Sequence, residues 1–199
     1  MVASEIELKF VLAEPHAFHE RLLAAGFTVK TPRTLERNVL FDTPDRSLRG
    51  RKQLLRLREY GTLWTLTHKR PTDARAEQEN ARYKFRRETE TVIEDGEALG
   101  AVFIELGYEP VFRYEKYRTE FTDSTGAIVL DETPIGIFAE AEGEPAWIEQ
   151  TLLRLAICSE DCFTDSYGKM FEQWQARTGS SAQHMTFDEV RMSRELAAQ

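Results

Sequence analysis

Period-two alternation is the strongest pattern in the chain. In Ser4-Glu5-Ile6-Glu7-Leu8-Lys9-Phe10, charged and apolar residues take turns. A strand puts successive side chains on opposite faces, so Glu5, Glu7 and Lys9 form one row and Ile6, Leu8 and Phe10 the other. Two carboxylates two positions apart repel each other unless a cation lies between them. The same device returns in Arg82, Lys84, Arg86, Glu88 and Glu90, in Arg56 and Arg58 between Leu55 and Leu57, in Lys116 with Arg118, and in Glu140 with Glu142. If all these rows faced water, a sheet of this size would have one side to bury. A barrel with charges inside and helices packed outside uses both faces.

Between these rows the chain predicts helices and turns. Pro15 to Ala25 reads as a helix with Phe18, Leu22 and Leu23 on one side and Gly26 as its stop. Asn38 to Asp45 is a short strand running into a turn at Asp42 and Pro44, and Arg46 to Lys52 reads as a loop or short bridge. Leu54 to Glu59 and Leu63 to Lys69 form a hairpin, with Thr65, Thr67 and Lys69 on one face and His68 on the other. Pro71 to Asn80 has the composition of a mobile loop. Glu94 or Asp95 caps a helix to Leu106 whose apolar stripe is Leu99, Val102, Phe103 and Leu106. Phe112 to Phe121 and Ile128 to Asp131 make a further hairpin, and Ile137 to Glu142 a last strand. Pro145 opens a helix through Ile157, and Asp165 caps one from Ser166 to Arg177. Residues 1–179 read as one domain and 180–199 as a tail, a short helix after Thr186 that docks loosely or frays.

Composition narrows the chemistry. The chain of 199 residues has a net charge of -8, yet 16 Lys and Arg stand against 7 Asp and Glu between Lys30 and Arg87. A basic row inside an acidic protein suits a small, highly charged anion better than a nucleic acid, which the overall field repels. Cys158 and Cys162 have no partner pair at metal-site spacing and read as free thiols. With no apolar run long enough to cross a bilayer and no secretory leader, the expectation is a cytoplasmic protein without membrane contact. No Walker loop, dinucleotide fingerprint or nucleophile elbow occurs.

Glu5-Ile6-Glu7-Leu8-Lys9, Leu55-Arg56-Leu57-Arg58, Thr67-His68-Lys69, Arg87-Glu88-Thr89-Glu90, Lys116-Tyr117-Arg118, Leu130-Asp131 and Gly136 to Gly143 follow one another in that order. In these motifs the chain resembles the CYTH superfamily of triphosphate tunnel metalloenzymes, which includes class IV adenylate cyclases, thiamine triphosphatases and inorganic triphosphatases. The resemblance runs from Glu5 to about Tyr167. It implies an α+β fold: an eight-stranded antiparallel β-barrel forming a tunnel, with helices outside. It implies Mg²⁺ or Mn²⁺ held by Glu5, Glu7, Asp131, Glu140, Glu142 and either Glu88 or Glu90. It matches Lys9, Arg56, Arg58, Lys69, Arg86 and Arg118 to the phosphate side, with Lys116 and Arg113 as further candidates. Among these, Glu5, Glu7, Arg58, Lys69 and Arg118 are matched to turnover. Some relatives place a lysine near Ser166-Tyr167; here Lys169 stands further along.

Elementary chemistry points the same way. Buried ions cost several kcal/mol each unless neutralised, so such a tunnel asks for water, metal and a polyanion. Oxygen-only rows suit Mg²⁺ or Mn²⁺ rather than zinc. The expected activity is metal-dependent hydrolysis of a small triphosphate by a monomer or homodimer. The alternatives are an adenylate cyclase on the same scaffold and a polyphosphate-binding module without turnover.

Overall fold

Eight strands, β1 (Val2–Val11), β2 (Thr28–Asp42), β3 (Leu54–Tyr60), β4 (Leu63–Pro71), β5 (Lys84–Ile93), β6 (Glu109–Thr122), β7 (Ala127–Thr133) and β8 (Gly136–Glu142), close on themselves in the order β1-β5-β4-β3-β2-β6-β7-β8. They belong to a computed structural model that describes residues 2–71 and 83–197. Every pairing is antiparallel, and the ring is completed where Glu7 lies opposite Glu142 and Lys9 opposite Glu140. The barrel expected from the alternation is the fold. The loop expected over Pro71 to Asn80 lies, beyond Pro71, outside the described residues, as does Arg82.

The outward rows of β1, β7 and β8 supply Leu8, Phe10, Ile128, Leu130, Ala139 and Ala141 to one core. Helix α1 (Pro15–Ala24) covers it with Phe18 and Leu22, and α4 (Pro145–Arg154) with Ile148 and Leu152. The α4 helix ends before Ile157 because Ala156 turns into the left-handed region at φ 52°.

Further elements differ from the sequence expectation. β2 begins at Thr28 rather than Asn38, and its pairing with β6 shifts register between Val29 and Thr31 and again before Thr34, around Pro32. Proline removes a ladder donor, so the irregularity falls where the strand is least able to pair. Helix α2 (Ser47–Gly50) replaces part of the expected loop; Asp42 accepts from the backbone amides of Leu48 and Arg49 at 2.9 and 3.0 Å.

Helix α3 (Gly96–Glu105), capped by Asp95 accepting from Ala98 N, lies on only part of its expected stripe. Val102 and Leu106 are 50% and 69% exposed. The helix meets the barrel through Gly96 against Trp64, Gly100 against Leu57 and Phe41, and Phe103 against Phe41. Glycines let its backbone approach closely.

A second core forms where β6 and β8 begin. Tyr114 and Phe138 point there, and α5 (Tyr167–Thr178) adds Tyr167, Met170, Phe171 and Trp174. Ser166, not Asp165, caps α5; Asp165 accepts from Gln173. The tail joins this core rather than docking loosely. Met185 is fully buried and pairs with Arg113 and Glu115 through its backbone, and α6 (Phe187–Ala197) adds Val190. No helix among the described residues is long and apolar enough to cross a membrane.

Candidate active site

On β1 and β8 the charged row goes to the barrel interior because the apolar row of the same strand is claimed by a core outside. In β1, Leu8 and Phe10 pack outward and leave Glu7 and Lys9 inside, 8% and 3% exposed. In β8, Ala139 and Ala141 pack outward and leave Glu140 and Glu142 inside. The ring closure therefore sets Glu7 beside Glu142 and Lys9 beside Glu140. Carboxylate oxygens of Glu7, Glu140 and Glu142 come within 4.8 Å of one another. The Lys9 ammonium lies among them, 2.7 Å from Glu7 and 3.2 Å from Glu140. Burial alone would discharge that ammonium, but the fields of Glu140 and Glu7 outweigh it and hold Lys9 above its ordinary value. Glu140 is driven the other way: burial pushes it up, and Lys9, Arg118 and Lys116 together hold it well below the usual carboxylate range.

Asp131 anchors the neighbouring wall. Its Oδ1 accepts from Arg118 Nε at 2.7 Å, and its Oδ2 accepts from Arg118 Nη2 at 2.5 Å, Lys116 Nζ at 2.9 Å and the Tyr167 hydroxyl at 2.6 Å. Arg118 also reaches Glu140 at 2.9 Å. Burial, followed by the charges of Asp131 and Glu140, pushes the Tyr167 phenol well above its ordinary value, so it stays a donor. Its ring also faces the Lys116 and Lys9 ammonium groups, 4.6 and 5.7 Å from the centroid.

The opposite wall is made by β3, β4 and β5. Arg58 donates to Glu90 at 3.3 Å and to Thr65 at 3.2 Å, and Arg56 donates to Tyr114 and Thr67. Lys69 lies 3.1 Å from Glu88. Arg86 stands nearer the barrel rim and donates to the Lys52 carbonyl.

Most of the residues singled out in the sequence thus converge on one interior: Glu7, Lys9, Arg56, Arg58, Lys69, Glu88, Glu90, Lys116, Arg118, Asp131, Glu140 and Glu142. Glu5 belongs to the same strand row, but its side chain is outside the described set, as is that of Lys84. Arg113 does not join them. It shares parity with Glu115 and not with Lys116, so it faces outward, where its side chain meets His184 at 3.4 Å. Lys169 is exposed, and Tyr167 is the α5 residue that enters the site. His68 takes the outer face of β4, as its parity dictates.

Tyr114, Tyr167 and Glu36 are among the interior residues that escaped the sequence reading. Tyr114 and Tyr167 look like any apolar ring until the barrel closes around them. Glu36 was hidden in a stretch with no apolar alternation, yet it is fully buried, 3.5 Å from Lys116 and 3.9 Å from Arg118. Extending the Asn38 row two residues back would have found it.

Residues 3–154 match the CYTH domain. A Methanocaldococcus jannaschii protein named as a candidate adenylate cyclase is 27% identical over 69% of this chain and 75% of its own length. Among solved structures, a candidate adenylate cyclase from Vibrio parahaemolyticus superposes with a TM-score of 0.73 at 22% identity, covering 84% of this chain and 97% of the other. A Hippeastrum protein, described as a candidate adenylyl cyclase with a dominant triphosphatase activity, gives a TM-score of 0.62 at 18% identity over 87% and 96% of the two chains.

Proposed function

The chain belongs to the CYTH domain family, and on that premise we propose that it hydrolyses a small triphosphate inside the barrel with the help of a divalent cation. The observation that carries this reading is the pairing, within one enclosed space, of an all-oxygen acidic cluster with a grip of arginines and lysines.

Carboxylates alone make up the cluster of Glu7, Glu140 and Glu142, a donor set that fits a hard cation such as Mg²⁺ or Mn²⁺. Such a cation, when bound, neutralises phosphate charge and acidifies a coordinated water. The chain's own groups do the rest. Arg56 and Arg58 present planar forks that match phosphate oxygens two at a time, and Lys9, Lys69 and Lys116 act as point charges. Arg118, fixed by Asp131, is aimed before the substrate arrives, so it stabilises developing charge without reorganising. Glu88 and Glu90 keep Lys69 and Arg58 in place until phosphate displaces them. In this reading Asp131 orients cations, its oxygens already accepting four hydrogen bonds, while Glu7, Glu140 and Glu142 face the metal.

A second reading is adenylate cyclisation, in which the ribose 3′-hydroxyl of ATP attacks the α-phosphorus and diphosphate leaves. The names of the Methanocaldococcus and Vibrio relatives favour it, whereas the description of the Hippeastrum protein favours hydrolysis. Incubating the full chain with ATP and Mn²⁺ and separating the products decides between them. Orthophosphate with ADP supports hydrolysis; cyclic AMP with diphosphate supports the second reading. No product from ATP, inorganic triphosphate or thiamine triphosphate overturns both.

A further inference from the structure

We propose that Glu36 is a built-in counter-anion of the phosphate grip, one that competes with the incoming triphosphate and so sets its affinity; this rests on the triphosphate reading above. Glu36 lies on the inner row of β2, with Lys116 of β6 on one side and Tyr60 of β3 on the other. It is fully buried, yet it is poorly satisfied. Asn38 donates to its Oε1 at 2.9 Å, while its Oε2 and the Oδ1 of Asn38 have no hydrogen-bond partner.

Lys116 and Arg118 lie 3.5 and 3.9 Å from this carboxylate, and Arg56 and Arg58 stand on the adjoining strand β3. Burial by itself would protonate it, but the fields of Lys116, Arg118, Arg56 and Arg58 prevail and hold its pKa at about 2. These cations hydrogen-bond other groups: Lys116 and Arg118 bond Asp131, Arg118 also Glu140, Arg58 bonds Glu90 and Thr65, and Arg56 bonds Tyr114 and Thr67. A carboxylate retained to brace one cation would be hydrogen-bonded to it, since a bare buried oxygen is costly. Glu36 instead stands in the shared field of the four groups assigned to phosphate, and it is not part of the Glu7, Glu140 and Glu142 cluster. Its charge offsets that field in the free protein. When a triphosphate arrives, Glu36 becomes a like charge at close range, which weakens binding and favours release of the product.

Charge-altering variants of the full chain test this in both directions, with Mg²⁺ present and affinity for inorganic triphosphate read by calorimetry. Glu36→Gln keeps the shape and the Asn38 bond while removing the charge, so triphosphate is expected to bind about tenfold tighter. KM should fall without a rise in kcat, and orthophosphate should inhibit more strongly. Asn38→Asp adds a second anion in the same place and should weaken binding about tenfold. Folded Glu36→Gln that binds equally or more weakly overturns the inference, as does an Asn38→Asp variant with undiminished affinity, whichever of the two folds. Failure of the unaltered protein to bind triphosphate removes the underlying reading instead.

Discussion

Asp131 illustrates how single residues are fixed in this barrel. It is fully buried and receives hydrogen bonds from Arg118, Lys116 and Tyr167 at once. An anion so placed is tolerable because its partners are already there, and removing one of them exposes the cost. Arg118→Ala leaves Asp131 and Glu140 short of their shared partner and should lower stability by about 3 kcal/mol, read from the urea midpoint. An unchanged midpoint would mean that solvent, not Arg118, balances those acids. Glu7→Gln, which conserves shape, should by contrast leave the fold intact and abolish most turnover.

Glu36 adds a pH signature. Its pKa is about 2 in the folded protein against an ordinary 4.5. A depressed carboxylate stabilises the fold above its unfolded value, and that contribution is lost as pH falls through the folded one. Stability should therefore decline between about pH 4.5 and pH 2, and Glu36→Gln should show a shallower decline in a urea series across that window. Parallel curves for the two proteins would contradict the assignment.

These residues were unequally legible. Charges flanked by leucines, as in Leu55-Arg56-Leu57-Arg58, announce their face; Glu36 sits in Thr31-Pro32-Arg33-Thr34-Leu35-Glu36, where no alternation exists to be read. Arg113, which the resemblance offered for the phosphate side, faces outward because it shares strand parity with Glu115 and not with Lys116.

At the level of elements, hydrophobic pattern located almost every strand and helix but not how each one packs. Of the helix stripe Leu99, Val102, Phe103 and Leu106, Phe103 meets the barrel while Val102 and Leu106 are exposed, and α3 turns Gly96 and Gly100 to the barrel as well. Glycine carries no hydropathy signal, so a face built on close approach is invisible to periodicity. A Cβ at Gly96 would come within 2.0 Å of the Trp64 ring. Gly96→Ala should accordingly displace α3 and cost more than 1 kcal/mol in stability, despite the higher helix propensity of alanine. A gain in stability would show that Trp64 yields freely.

The tail behaves similarly. Its few apolar residues, Met185 and Val190 among them, look insufficient in sequence, but each falls into a gap in the aromatic core that α5 builds with Tyr114 and Phe138. Met185→Ala should cost about 2–5 kcal/mol, and a midpoint within experimental error of the unaltered protein would contradict that docking.

Across the whole molecule, one economy explains the charge distribution. Net charge is -8, but within the basic stretch of residues 30–87 the cations of β3 and β4, Arg56, Arg58 and Lys69, are turned inward, opposite the acids of β1, β7 and β8, while Lys30, Arg33, Arg37 and Arg49 stay on the surface. Neither half would be stable facing a dry interior alone. Facing one another, they make an interior that is internally neutralised yet exchangeable, since each cation holds an acid that metal and phosphate would release. Alternation made this arrangement readable before the fold was known; the ring closure that brings Glu7 beside Glu142 came only from pairing strands at opposite ends of the chain.

Phosphate release from inorganic triphosphate, followed through a Mn²⁺ titration of the full chain, tests the central claim most directly. Release should be absent in chelator, rise to saturation with the cation, and vanish in Glu7→Gln while that variant remains folded. Release that persists in chelator, or that survives the loss of Glu7, would contradict the account.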